Sequence, residues 1–147
     1  MDGVKTYKNV VWDWNGTLLN DLRVGVQTLN DMLSRRGLAP VTIEEYKEQF
    51  EFPVLRFYER IGFDLKRESF HDLSVDFVDT YDRYAMGVEL NAHVEEVLSR
   101  LRSAGVKLFV LFALREDLLR QMLKDFSIDS YFDGVFGSDN IYAAGKV

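Results

Sequence analysis

Asp13, Asn15, Gly16 and Thr17 follow directly on the apolar run Val10-Val11-Trp12. They are the first residues in the chain whose types and spacing could do chemistry. An aspartate where a buried strand ends is either a turn former, as Asp, Asn and Gly are in general, or a carboxylate nucleophile held at the edge of a sheet. Near the other end, Gly145-Lys146-Val147 offers a lysine. It is not a phosphate-binding P-loop, because the earlier glycine of that motif falls on Asn140 and no Ser or Thr follows the lysine. His71 and His93 are the only histidines, and neither has metal-ligand spacing, so both read as surface residues.

Bulk properties narrow the choice. A chain of 147 residues fits one domain, or one domain with a small insertion. With 47% hydrophobic and 14% aromatic residues it predicts a packed core. A net charge of −6 argues against nucleic acid or an anionic membrane surface as the main partner. It also disfavours an anionic substrate, unless a cation or a basic group offsets the field at the site. There is no cysteine, hence neither a disulfide nor thiolate chemistry. The polar stretch 1–9 has no apolar signal core, and the longest apolar run, 108–114, is too short to cross a bilayer. A soluble, cytoplasmic protein is expected.

The elements that must position Asp13 alternate. Residues 10–12 predict a short, fully buried strand. An apolar stripe of Val24, Leu29, Met32 and Leu33 predicts a helix that stops at Gly37. Thr42 and Glu45 form a capping-box pattern, and Pro53 and Gly62 bracket a further helix. Residues 65–86 are again helical, with alternating charges from Lys66 to Asp82 that read as a solvated face. Asn91 caps a helix that Gly105 ends, and "VKLFVLFAL" predicts a second buried strand. A helix and a third short strand, "GVFGSD", follow. Helix–strand alternation after residue 90 predicts a parallel sheet, and residues 21–87 are too long for one crossover. They read as an inserted helical cap on a core made of 1–20 and 88–147. In such sheets ligands bind beyond the carboxyl ends of the strands, where Asp13 falls. Within the cap, the aromatic cluster Phe50, Phe52, Phe57 and Tyr58 reads as the cap's own core. Arg56 is the residue suited to reach a carboxylate on a substrate.

The stretch Asp13-Trp14-Asn15-Gly16-Thr17-Leu18 resembles the first motif of the haloacid dehalogenase superfamily, Asp-x-Asp-Gly-Thr-Leu/Val. With the helical cap, "GVKLFVLFAL" and the late Gly-Lys-Val, the whole chain resembles the phosphoglycolate-phosphatase-like branch. The resemblance implies an α/β fold: a Rossmannoid parallel sheet, incomplete at its C-terminus, with an inserted all-helical cap. It implies a phosphatase that hydrolyses a small phosphorylated metabolite through an aspartyl-phosphate intermediate. Asp13 is then the nucleophile, and Lys146 pairs with the phosphate. Mg²⁺ is held by the Asp13 side chain and the Asn15 backbone carbonyl. Asn15, Gly16 and Thr17 form the phosphate loop, Gly16 letting its N–H groups face the anion and Thr17 steadying it.

Three departures accompany the resemblance. Asn15 stands where the family usually has an aspartate acting as acid and base, and an amide transfers no proton. The second strand should end in Ser or Thr, but no Ser or Thr occurs from 105 to 121, and Phe112 would crowd the phosphate. An acidic motif that supplies further metal ligands should follow the lysine. Asp133 and Asp139 lie upstream of it and do not carry over to that role. The chain thus reads as truncated after the third motif or as a degenerate relative. A phosphatase with impaired turnover competes with an inactive relative acting at most as a binding module. A receiver-like phospho-acceptor domain is the weakest alternative, because the key aspartate follows the first strand here. A sheet lacking a strand would expose an edge, and a homodimer through that edge is expected.

Overall fold

The computed structural model describes residues 6–142. Three parallel strands, β1 (Asn9–Asp13), β2 (Lys107–Arg115) and β3 (Gly134–Ser138), form one sheet in the order β1-β2-β3. Asp13 lies opposite Leu111 at the carboxyl end of the pairing. Four helices separate β1 from the rest of the sheet: α1 (Leu22–Arg35), α2 (Ile43–Gln49), α3 (Val54–Ile61) and α4 (Phe70–Tyr84). α5 (Val94–Ser103) leads into β2, and α6 (Glu116–Asp125) joins β2 to β3. Among the described residues no helix is long and apolar enough to cross a membrane.

Local sequence accounts for most boundaries. The capping box of α2 forms: the Glu45 N–H donates to Thr42 Oγ1 at 3.1 Å, and the Thr42 N–H donates to Glu45 Oε2 at 2.8 Å. Pro53 precedes α3, and Gly62 ends it with φ +110°, a conformation that favours glycine. α5 departs from expectation. Its N-cap is His93, at φ +64°, while the Asn91 side chain donates to the Thr17 carbonyl at 2.7 Å. Asn91 is used instead to tie two passing segments together. Its N–H donates to Leu18 O, and the Asn20 N–H donates to Glu89 O, so the chain leaving the sheet and the chain returning to it run side by side.

Two hydrophobic clusters result. One joins Leu98, Leu108, Val110, Phe112, Leu119 and Leu123 under the sheet. The other joins Leu29, Met32, Leu33, Phe57, Tyr58 and Leu73 among α1 to α4. β1 is not the fully buried strand that its apolar run predicts: Val11 is 63% exposed and Phe136, on β3, is 51% exposed. The residues of the sheet cluster come from one face, where α5 and α6 pack, and Val11 and Phe136 belong to the other. The charged face of α4 is likewise only partly solvated. Asp76 accepts from Arg35 Nη2 and Arg36 Nη2, both at 2.8 Å, and Arg36 also grips Glu68. The hydrogen bond from Arg36 holds the Glu68 carboxyl below its usual range. Burial pushes Asp76 up, but the bonds from Arg35 and Arg36 outweigh it and its net shift is downward.

Candidate active site

The loop after β1 is built on Trp14 and Asp21. Trp14 is fully buried, and its carbonyl accepts the N–H groups of Thr17, Leu18 and Leu19 at 3.2, 3.1 and 3.0 Å. This tight turn leaves Asp13, Asn15, Gly16 and Thr17 exposed above the core. Gly16 adopts φ +69° with open space around a Cβ position, so conformation, not crowding, calls for glycine there. The Asp13 carboxylate accepts the N–H of Trp14 at 2.9 Å.

Asp21 closes the loop from behind, a role the reading of the sequence did not assign to it. It sits at the N-cap of α1 but does not cap it. Its carboxylate turns back to accept Gly16 N–H at 2.6 Å, Asn15 Nδ2 at 2.7 Å and the Tyr81 hydroxyl, from α4, at 2.6 Å. Only 4% of Asp21 is exposed, and a buried carboxylate is tolerated when hydrogen bonds satisfy it. Burial first, then the charge of Asp21, pushes the Tyr81 hydroxyl well above its usual range, so it remains a donor. The short Asp-to-Asn spacing of six residues at a helix start was the one signal available for Asp21. Tyr81, sixty residues further on, had none.

The strand end beside this loop offers no hydroxyl. Phe112 and Ala113 are buried, and with Leu114 they line a cavity of about 490 Å³ that Asp13, Asn15, Gly16 and Asp21 also line. The remaining walls come mainly from α4, with α1, α3 and α6 contributing equally, and are rich in aromatic rings. The structure therefore brings Asp13, Asn15 and Gly16 to one cavity, with Thr17 on the same loop. Arg56 is exposed on α3 and is not among the cavity residues. Lys146 lies outside the described residues. Asp133 accepts the N–H of Leu108 at 2.9 Å, which puts it at the opposite end of β2 from Asp13. Both histidines are exposed, as expected.

Among the described residues no group of three or more His, Asp or Glu side chains could hold a metal ion. Mg²⁺ takes oxygen ligands, keeps several waters, and is commonly held by one or two carboxylates together with a substrate phosphate. The Asp13 carboxylate and the Asn15 carbonyl are oxygen donors of that kind on one loop. They fit magnesium whose shell water and phosphate complete.

The sequence profile of the haloacid dehalogenase-like hydrolases matches residues 10–144. A phosphoglycolate phosphatase of Caulobacter vibrioides is 29% identical over 140 residues, covering 92% of this chain and 59% of the relative. A protein of Caldanaerobacter subterraneus with the provisional name pyrophosphatase PpaX is 25% identical over 135 residues, covering 89% and 58%. A solved structure from Lactobacillus plantarum, provisionally described as a phosphoglycolate phosphatase, shares the fold with a TM-score of 0.76 at 16% identity, covering 92% of this chain and 64% of that one. The chain thus spans less than two thirds of the length of the curated relatives it matches.

Proposed function

The chain belongs to the haloacid dehalogenase-like hydrolase family, and from that premise we propose that it is a phosphomonoester hydrolase using Asp13 as nucleophile on a small phosphorylated metabolite. One observation carries the reading: the Asp13 carboxylate stands at the carboxyl end of β1, on the wall of the cavity, beside a loop whose Gly16 N–H and Asn15 amide donate to Asp21. The similarity to a phosphoglycolate phosphatase supports the reaction class.

In the first step an Asp13 oxygen attacks phosphorus in line with the ester oxygen, the P–O bond to the leaving group breaks, and an aspartyl-phosphate forms. In the second, water attacks the phosphorus, releasing inorganic phosphate and restoring the carboxylate. The Gly16 N–H donates to Asp21 and the Thr17 N–H to the Trp14 carbonyl, so these two groups close the loop on itself instead of facing the phosphate, and Lys146 is the proposed cationic partner. Asn15 carries no transferable proton, so the leaving oxygen takes its proton from water. Phosphatases of this family generally use Mg²⁺; when held by Asp13 and the Asn15 carbonyl it supplies positive charge to offset that on the phosphate oxygens. Residues 21–87 act as the cap over this core, and a cytoplasmic site of action belongs to the same proposal.

A second reading, a binding module without turnover, is favoured by Phe112 and Ala113 standing where a phosphate-binding hydroxyl is expected. Hydrolysis of an aryl phosphate in Mg²⁺, with Asp13→Ala as control, separates the two. Turnover lost at least ~10³-fold in the variant, and lost with chelator, supports the nucleophile. Rates that match the variant's support the binding module.

A further inference from the structure

Resting on the phosphomonoester reading, we infer that the organic half of the ligand is an aromatic ring, so that the cavity takes an aryl phosphate and not a small carboxylate-bearing one. The walls decide this. Tyr46, Phe50, Phe57, Phe77 and Phe112 line the cavity together with Asp13 and Asn15, which joins an apolar body to a polar loop. The charged residues among its described walls are Asp13, Asp21 and Asp82; no lysine, arginine or histidine is among them. The cations of the proposed reaction, Lys146 and Mg²⁺, are engaged by the phosphate, so a second carboxylate would lose its hydration and find no partner of opposite charge among the described walls. A neutral ring meets neither cost.

Tyr46 contributes a neutral wall. Burial, then the charges of Asp21 and Asp13, push the Tyr46 hydroxyl up to about 12. The rings already pack edge to face, Tyr46 on Phe57 at 5.6 Å and 85°, and Phe50 on Phe57 at 5.3 Å and 64°. This is the arrangement in which one more aromatic ring finds favourable edges and faces. A volume of about 490 Å³ lies within the range of sites for drug-sized ligands. It far exceeds what a two-carbon acid fills. The chemistry agrees: a phenolate leaves phosphorus without a proton donor much more readily than an alkoxide, and Asn15 donates none.

Gly25 provides a test that spares the fold. It lies within α1 on the cavity wall, and a Cβ there meets no heavy atom within 4 Å. Gly25→Leu fills space in the cavity and removes a helix-interior glycine, which favours the helix. Calorimetric titration of the chain in Mg²⁺ with naphthylmethylphosphonate, phosphoglycolate and inorganic phosphate reads binding without turnover. The phosphonate is expected to bind at least tenfold tighter than phosphoglycolate. Gly25→Leu is expected to weaken the phosphonate at least tenfold more than it weakens inorganic phosphate. Equal or tighter binding of phosphoglycolate, or a variant that weakens both ligands alike, overturns the inference. A parallel turnover assay with naphthyl phosphate keeps the two readings apart. Tight, Gly25-sensitive binding without Asp13-dependent turnover supports the aromatic cavity and defeats the phosphatase. Asp13-dependent turnover that prefers phosphoglycolate does the reverse.

Discussion

The two strand ends that meet at the cavity are built in opposite ways. After β1 the chain forms an exposed polar loop whose hydrogen bonds converge on one buried carboxylate, Asp21. β2 carries Phe112 and Ala113, both buried, towards its carboxyl end and runs straight into α6. The first end presents the Asp13 carboxylate and the polar Asn15 and Gly16, its Gly16 and Thr17 N–H groups being bonded within the loop. The second presents a ring and a methyl group. In the proposed reaction anion handling rests on the β1 side, while the β2 side serves as apolar wall and core. This division explains how one cavity can look like a phosphate site from one direction and a hydrophobic pocket from the other.

The strongest way to break the comparison is at its polar end. Asp21→Ala leaves the Gly16 N–H, the Asn15 amide and the Tyr81 hydroxyl without their acceptor, and a loss of about 4 kcal/mol is expected from three bonds to a charged group. Denaturant unfolding of the variant measures it, and a change below about 1 kcal/mol would mean the carboxylate does not organise the loop. The next effect is at the apolar end. Phe112→Ser removes a buried ring from the sheet cluster, at an expected cost of about 3 kcal/mol, while adding the missing hydroxyl. Tighter inorganic phosphate binding despite that loss would show that packing has replaced an anion contact there; unchanged binding would place phosphate on the β1 side alone.

A smaller effect sharpens the polar end itself. Asn15→Asp restores the family's usual residue but exchanges the 2.7 Å amide-to-Asp21 bond for two facing carboxylates. About 2 kcal/mol of stability is expected to be lost at neutral pH, from the broken bond and the repulsion. If the variant is as stable as the wild type, Asp21 does not explain the amide at position 15.

Much of this was legible in the residues. The capping box at Thr42, the bracket of Pro53 and Gly62, and the three strands follow from short-range rules and were found where those rules predict. The loop residues Asp13, Asn15 and Gly16 were legible as a group because they are contiguous. What escaped was long-range. Asn91 carries the mark of an N-cap, yet its side chain reaches Thr17, seventy-four residues away, because the two linkers run together. Asp76 looked like one charge on a solvated face, and only the packing of α1 on α4 brings Arg35 and Arg36 to it.

By itself, then, the sequence determined the elements, their order and the loop that carries Asp13, since periodicity, caps and turn residues act over a few positions. Only the tertiary structure decided that Asp21 and Tyr81 hold that loop, that one face of β1 is open, and that Arg56 stands away from the cavity. The reason is physical: burial, cavity shape and the partner of a buried carboxylate depend on segments far apart in the chain, and no local pattern encodes which of them will meet.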